Sequence, residues 1–138
     1  MKPVWPKTFA DLGFTIKAKT RANLFARAGK KLTQLQVKKI TGEEEKKIQL
    51  KAATLTDLLY QFLAELLFYK DRDRFLAHQF KLTIRRQNNN YLLRGTIRGG
   101  FLPQDPKLVL TDIKAITYHQ LQVQSTSSGW QARVVVDV

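Results

Sequence analysis

The sequence contains no cysteine at all and only two histidines, His78 and His119. Disulfides, thiol nucleophiles and cysteine-based zinc or iron–sulfur sites are therefore excluded, and so is a multi-histidine metal centre. Any metal would be held mainly by oxygen, which favours a hard cation. Acidic residues are also scarce, 11 against 24 lysines and arginines, for a formal net charge of +13. No apolar run is long enough to span a bilayer: the stretch from Leu55 to Tyr69 is interrupted by Asp57, Gln61 and Glu65. The first residues, Met1-Lys2-Pro3-Val4-Trp5-Pro6-Lys7, lack the apolar core of a secretory signal. These absences point to a soluble protein of the cytoplasm with no membrane partner.

What is present is enough for one core. The 138 residues match a single domain over 1–138, and 43% of them are hydrophobic, which argues against disorder despite the charge. After Asp11, Leu12, Phe14 and Ile16 alternate with Gly13, Thr15 and Lys17, the period of a first strand. Thr20 can cap a helix running to about Lys38, with Leu24, Phe25, Ala28, Leu32 and Leu35 on one face. Arg27, Lys30, Lys31, Gln34 and Lys38 fall on the other face. Thr41-Gly42 breaks this helix, and Glu43 to Leu50 reads as a charged strand. Thr54 caps a second helix whose Leu58, Leu59, Phe62, Leu63, Leu66 and Leu67 form the strongest amphipathic signal in the chain.

From Phe75 the period changes to two. Phe80, Leu82 and Ile84 alternate with Lys81, Thr83 and Arg85, Asn88-Asn89-Asn90 turns, and a return strand carries Arg94, Thr96 and Arg98. Gly99-Gly100 and the Pro103-to-Pro106 stretch read as a loop, Ile113 to Val123 as one long strand and Trp130 to Val136 as the closing strand. The class is α+β: two helices packed on a largely antiparallel sheet.

Two groups of residues are candidates for function. Lys81, Arg85, Arg94 and Arg98 share the solvent face of the predicted hairpin, and with Arg27, Lys30, Lys31 and Lys38 on the first helix they suit a polyanion such as RNA or DNA. The aromatic residues sit mostly at core positions, so base stacking has little support. The second group is Asp11 and Asp137, beside the first and last strands; if these strands are neighbours, both carboxylates and the carboxylate of Val138 can offer oxygens to calcium or magnesium. Lys114 stands on the long strand with Ile116 and Tyr118, a position from which it could reach phosphate, and His119 has no adjacent nucleophile. With no glycine-rich phosphate loop either, catalysis by this chain alone is not expected, and a metal-dependent nuclease has little support.

Three segments resemble the archease family. They are Ala10-Asp11-Leu12-Gly13 with Lys19-Thr20 opening a helix; Asp57-Leu58-Leu59-Tyr60-Gln61-Phe62-Leu63-Ala64-Glu65-Leu66-Leu67; and Ile113-Lys114-Ala115-Ile116-Thr117-Tyr118-His119 with the final Val135-Val136-Asp137-Val138. The resemblance implies an activator of the GTP-dependent tRNA-splicing RNA ligase, promoting its guanylylation and turnover, not an enzyme itself. It implies calcium or a similar metal at Asp11, Asp137 and Val138, and a role for Lys114 in activation. The chain departs from the family at Lys7-Thr8-Phe9-Ala10-Asp11, where Asp-His-Thr-Ala-Asp is usual, at Arg21-Ala22-Asn23, where acidic residues are usual, and at Gly99-Gly100, where Gly-Glu is frequent. Each lost carboxylate weakens binding of a hard dication. The alternative reading is a basic RNA- or DNA-binding module that keeps the fold and has lost the metal site.

Overall fold

Inward-pointing Leu12, Phe14, Ile16 and Ala18 set the first strand, β1 (Asp11–Ala18), with Phe14 and Ala18 buried. The computed structural model describes residues 11–138; the altered motif at Lys7-Thr8-Phe9-Ala10 lies outside them. Helix α1 (Arg21–Gln36) begins where the Thr20 hydroxyl accepts the Asn23 amide at 3.1 Å, and it buries Leu24, Phe25, Ala28 and Leu32. It stops two residues before Lys38, because Val37 turns extended to bridge Val109 and the Lys38 amide donates to the Leu108 carbonyl. Strand β2 (Thr41–Ala52) outruns the predicted segment at both ends.

Helix α2 (Leu55–Asp73) follows its cap at Thr54, whose hydroxyl accepts the Asp57 amide at 3.1 Å. All six predicted stripe residues are buried, from Leu58 to Leu67. Arg74 ends the helix in the left-handed conformation at φ 59°, and β3 (Phe75–Gln87) and β4 (Asn90–Phe101) form the long hairpin. The remaining strands are β5 (Ala115–Ile116), β6 (Gln122–Thr126) and β7 (Gly129–Asp137).

Every strand pairing is antiparallel, as the α+β reading requires, but the strands divide between two sheets. One has the order β1-β7-β5 with β6 also on β7; the other has the order β2-β4-β3. Both helices contribute to one core, where Phe25 and Phe62 meet with ring centroids 5.7 Å apart and whose buried cluster also includes Ile97, Val134 and Val136.

Two predicted segments are corrected. Gly99-Gly100 is not loop: both residues continue β4, facing Ala77 and Leu76 of β3. A Cβ on Gly99 would stand 1.9 Å from the Leu76 carbonyl oxygen, so glycine there reflects close strand approach. The predicted long strand from Ile113 to Val123 is broken in the middle. The Thr117 hydroxyl donates to the Val135 carbonyl and accepts the His119 amide, and Gln120 adopts φ 55°, so the chain turns between β5 and β6.

Candidate functional site

The register of β1 on β7 brings the predicted carboxylates together. Asp11 pairs directly with Asp137, at the strand end, and Ala115 of β5 pairs with Asp137 from the other side. Residues directly opposite in an antiparallel pair share one face, with Cβ atoms about 5 Å apart. Like charges so placed repel, which makes the pair a natural position for a cation. Val138 follows at once. Lys114 is tied to the same place by its backbone: its amide donates to the Asp137 carbonyl at 2.8 Å, while its side chain is exposed. The strict alternation expected for Lys114, Ile116 and Tyr118 is not kept, since Ile113 and Ile116 are both buried and Tyr118 is 61% exposed.

The donors suit a hard divalent cation in kind, being carboxylate and main-chain oxygens. In number they fall short of the six to eight oxygens calcium takes, and among the described residues no three His, Asp or Glu side chains converge. Water or a partner's oxygens would have to complete the shell.

A residue not singled out from the sequence supports this edge. Lys70 of α2 is 5% exposed, and its ammonium donates to the Gln36 side-chain oxygen at 2.7 Å, the Ile113 carbonyl at 2.7 Å and the Asp112 carboxylate at 3.1 Å. It thus fastens the residue preceding Lys114 to both helices. The signal in the sequence was a lysine placed three, four and seven residues after Leu67, Leu66 and Leu63, on the apolar stripe itself. On the far side, Tyr118 stacks on Tyr60 with centroids 4.0 Å apart, and the Val123 amide donates to the Thr56 hydroxyl. Lost hydration, then the charges of Tyr60 and Asp57, raise the Tyr118 phenol above its usual pKa.

The basic candidates fall into two separate sets. Lys81, Arg85, Arg94 and Arg98 are exposed on the outer face of the β2-β4-β3 sheet. Arg27 and Lys30 are exposed on α1, Lys31 is half-buried, and Lys38 lies beyond the helix end, where with Lys30, Lys39 and His78 it lines a shallow cleft. Helix α1 packs on the other side of β3, where Phe80 crowds Gly29. Lys47 and Lys51 of β2, also missed, share the outer face with the hairpin cations. Asp73 pairs with Arg72 at 2.6 Å and Lys46 at 3.1 Å, whereas Arg74 serves as the helix cap.

The layout is that of a two-sheet α+β protein whose carboxylates gather at one strand end. The family model of the Archease protein family matches residues 6–138, and the chain belongs to that family. It is 34% identical to the protein archease of Methanosarcina barkeri over 132 residues, 94% of this chain and 90% of the relative. Against the protein archease of Methanopyrus kandleri it is 30% identical over 131 residues, 94% of each chain. The fold matches the solution structure of a Methanobacterium thermoautotrophicum protein with a TM-score of 0.75 at 21% identity, covering 98% of this chain and 96% of that one. It also matches the crystal structure of an archease from Thermotoga maritima, described as a possible chaperone, with a TM-score of 0.62 at 20% identity over 100% and 97% of the two chains.

Proposed function

We propose that this protein is an accessory factor that activates a GTP-dependent, tRNA-splicing RNA ligase in the cytoplasm, and that it does so through the edge formed by Asp11, Asp137 and Lys114. Family membership supports the accessory role. The observation that carries the choice of residues is the direct pairing of Asp11 with Asp137, with the Lys114 backbone bonded to Asp137. Asp11, Asp137 and the main-chain oxygens of Val138 are the groups that would hold calcium or another hard dication, which supplies positive charge beside a phosphate when bound. Lys114 extends an ammonium from the same edge toward solvent, where it can meet a partner's phosphate or carboxylate. The chain's own contribution is positioning: short antiparallel pairing and the Lys70 anchor fix the spacing of these charges before any partner arrives.

The test is multiple-turnover RNA ligation by the source organism's own ligase, with and without substoichiometric amounts of this protein. Stimulation is expected, and Asp11→Ala and Lys114→Ala are expected to abolish it while leaving thermal unfolding cooperative. Full stimulation by both variants would remove the assigned roles. No stimulation by the wild-type chain, with an active ligase, would mean that the fold serves another purpose.

A further inference from the structure

The three-stranded sheet turns a regular array of cations to solvent. Its registers align residues in rows across β2, β4 and β3: Glu45–Arg98–Gln79, Lys47–Thr96–Lys81, Gln49–Arg94–Thr83 and Lys51–Leu92–Arg85. Members of a row share a face, and successive rows lie two residues, about 6.8 Å, apart. The cations alternate down the sheet, central in the first and third rows and flanking in the second and fourth. Arg98 is partly neutralised by its ion pair with Glu43, and Arg94 is steadied by a 3.2 Å bond from its Nε to the Gln49 side chain. All six basic side chains are exposed.

We propose that this face is a docking surface for single-stranded RNA, held by its phosphates. Three observations select that occupant. The face carries no aromatic residue and only Leu92 as a large apolar one, so it lacks the apolar centre on which protein partners dock. The same lack of aromatics leaves no platform for base stacking, which makes the grip one of phosphate charge and independent of sequence. Third, three strands span only about 10 Å, so a single nucleic-acid strand running along them crosses all four rows, while a rigid duplex touches few of their cations. The choice of RNA rests on the proposed ligase role; the phosphate grip does not, and binding is therefore measured without any ligase.

The experiment is fluorescence anisotropy with a labelled unstructured RNA of about fifteen nucleotides across a salt series. With about five phosphate contacts the binding constant should fall about a hundredfold between 50 and 200 mM salt. The variant Lys47→Gln, Lys51→Gln, Lys81→Gln, Arg85→Gln should flatten the salt slope by up to about 0.7 for each contacting cation removed and lose at least about tenfold in affinity at low salt. The control Arg27→Gln, Lys30→Gln, Lys38→Gln, Lys39→Gln removes equal charge from α1 and its flank and should lose far less. Thermal unfolding checks that both fold, and the single reversals Lys81→Glu and Lys30→Glu repeat the contrast with minimal disturbance. DNA of the same sequence should bind within a few-fold of RNA. Equal losses in the two multiple variants, no RNA binding at low salt, tighter binding to a duplex, or displacement of RNA by polyglutamate of matched charge would each overturn the proposal.

Discussion

Asp11 and Asp137 stand directly opposite each other across β1 and β7, two carboxylates on one face with Val138 beside them. Opposed like charges destabilise a strand pair by up to about 1 kcal/mol, and a bound dication turns that repulsion into attraction. In chelator, Asp11→Asn should therefore raise the unfolding temperature, by about 1–4 °C for a chain of this size. Millimolar calcium should raise the wild-type temperature and leave the variant unchanged. A variant that melts lower than wild type in chelator, or that responds equally to calcium, would show that the pair is not a cation site.

Lys70 offers a second test, because its three acceptors differ in exposure. Lys70→Met leaves the buried Gln36 amide oxygen and Ile113 carbonyl without their donor, a loss of about 1–3 kcal/mol for buried groups. Asp112 is 73% exposed, and such a pair contributes at most about 1 kcal/mol. Denaturant unfolding should thus show a large loss for Lys70→Met and a small one for Asp112→Ala. Hydrogen exchange should show the Lys114 amide, bonded to Asp137, losing protection in Lys70→Met beyond the global change in stability. Protection that falls only with global stability would limit Lys70 to the core.

How much of this could be read in advance depends on the kind of signal. Helix α2 was legible because six large apolar residues repeat at helical spacing, and tertiary packing then used all of them. The hairpin face of Lys81, Arg85, Arg94 and Arg98 was legible from period two alone. Lys47 and Lys51 were not, since membership of the same face depends on which strand lies beside β4. The break after Ile116 escaped notice because it is made by one hydroxyl, that of Thr117, and a left-handed Gln120, neither of which disturbs hydrophobic patterning. Gly99 misled because glycine marks both loops and close strand approach, and only the neighbouring Leu76 carbonyl decides between them. At the site, the adjacency of Asp11 and Asp137 and their fitness for a hard cation were foreseeable from terminal strands, whereas the proposed link to ligase activation comes only from family resemblance.

Asp73 sets an acid-side prediction. Hydrogen bonds from Arg72 and Lys46 lower its carboxyl pKa from 3.8 to about 2. A carboxyl whose folded pKa is depressed favours the native state above its unfolded pKa and loses that advantage as pH falls toward the folded value. The contribution should be complete above about pH 5 and vanish between about pH 4 and pH 2. Asp73→Asn should flatten the stability profile in that window while leaving its shape above pH 6 unchanged. An unchanged acid limb would mean that the ion pairs contribute nothing, as happens for many exposed pairs.

Gly29 interrupts α1 in its middle, where alanine would favour the helix by about 1 kcal/mol. Packing opposes that gain. A Cβ at Gly29 would lie 2.7 Å from Cζ of Phe80 and 3.1 Å from Cδ1 of Leu66, and the Phe80 ring is itself held edge-on by Phe62 at 5.9 Å. Crowding a packed core costs about 1–3 kcal/mol, so it exceeds the propensity gain unless the ring can swing outward. Gly29→Ala is therefore expected to lose up to about 2 kcal/mol in denaturant unfolding. The crowding explanation makes a sharper demand on the double variant. In a Phe80→Leu background the space beyond Gly29 opens, and the same glycine-to-alanine change should become neutral or stabilising. If it costs the same in both backgrounds, the ring is not what excludes the methyl group, and the glycine would owe its place to the backbone of α1 itself.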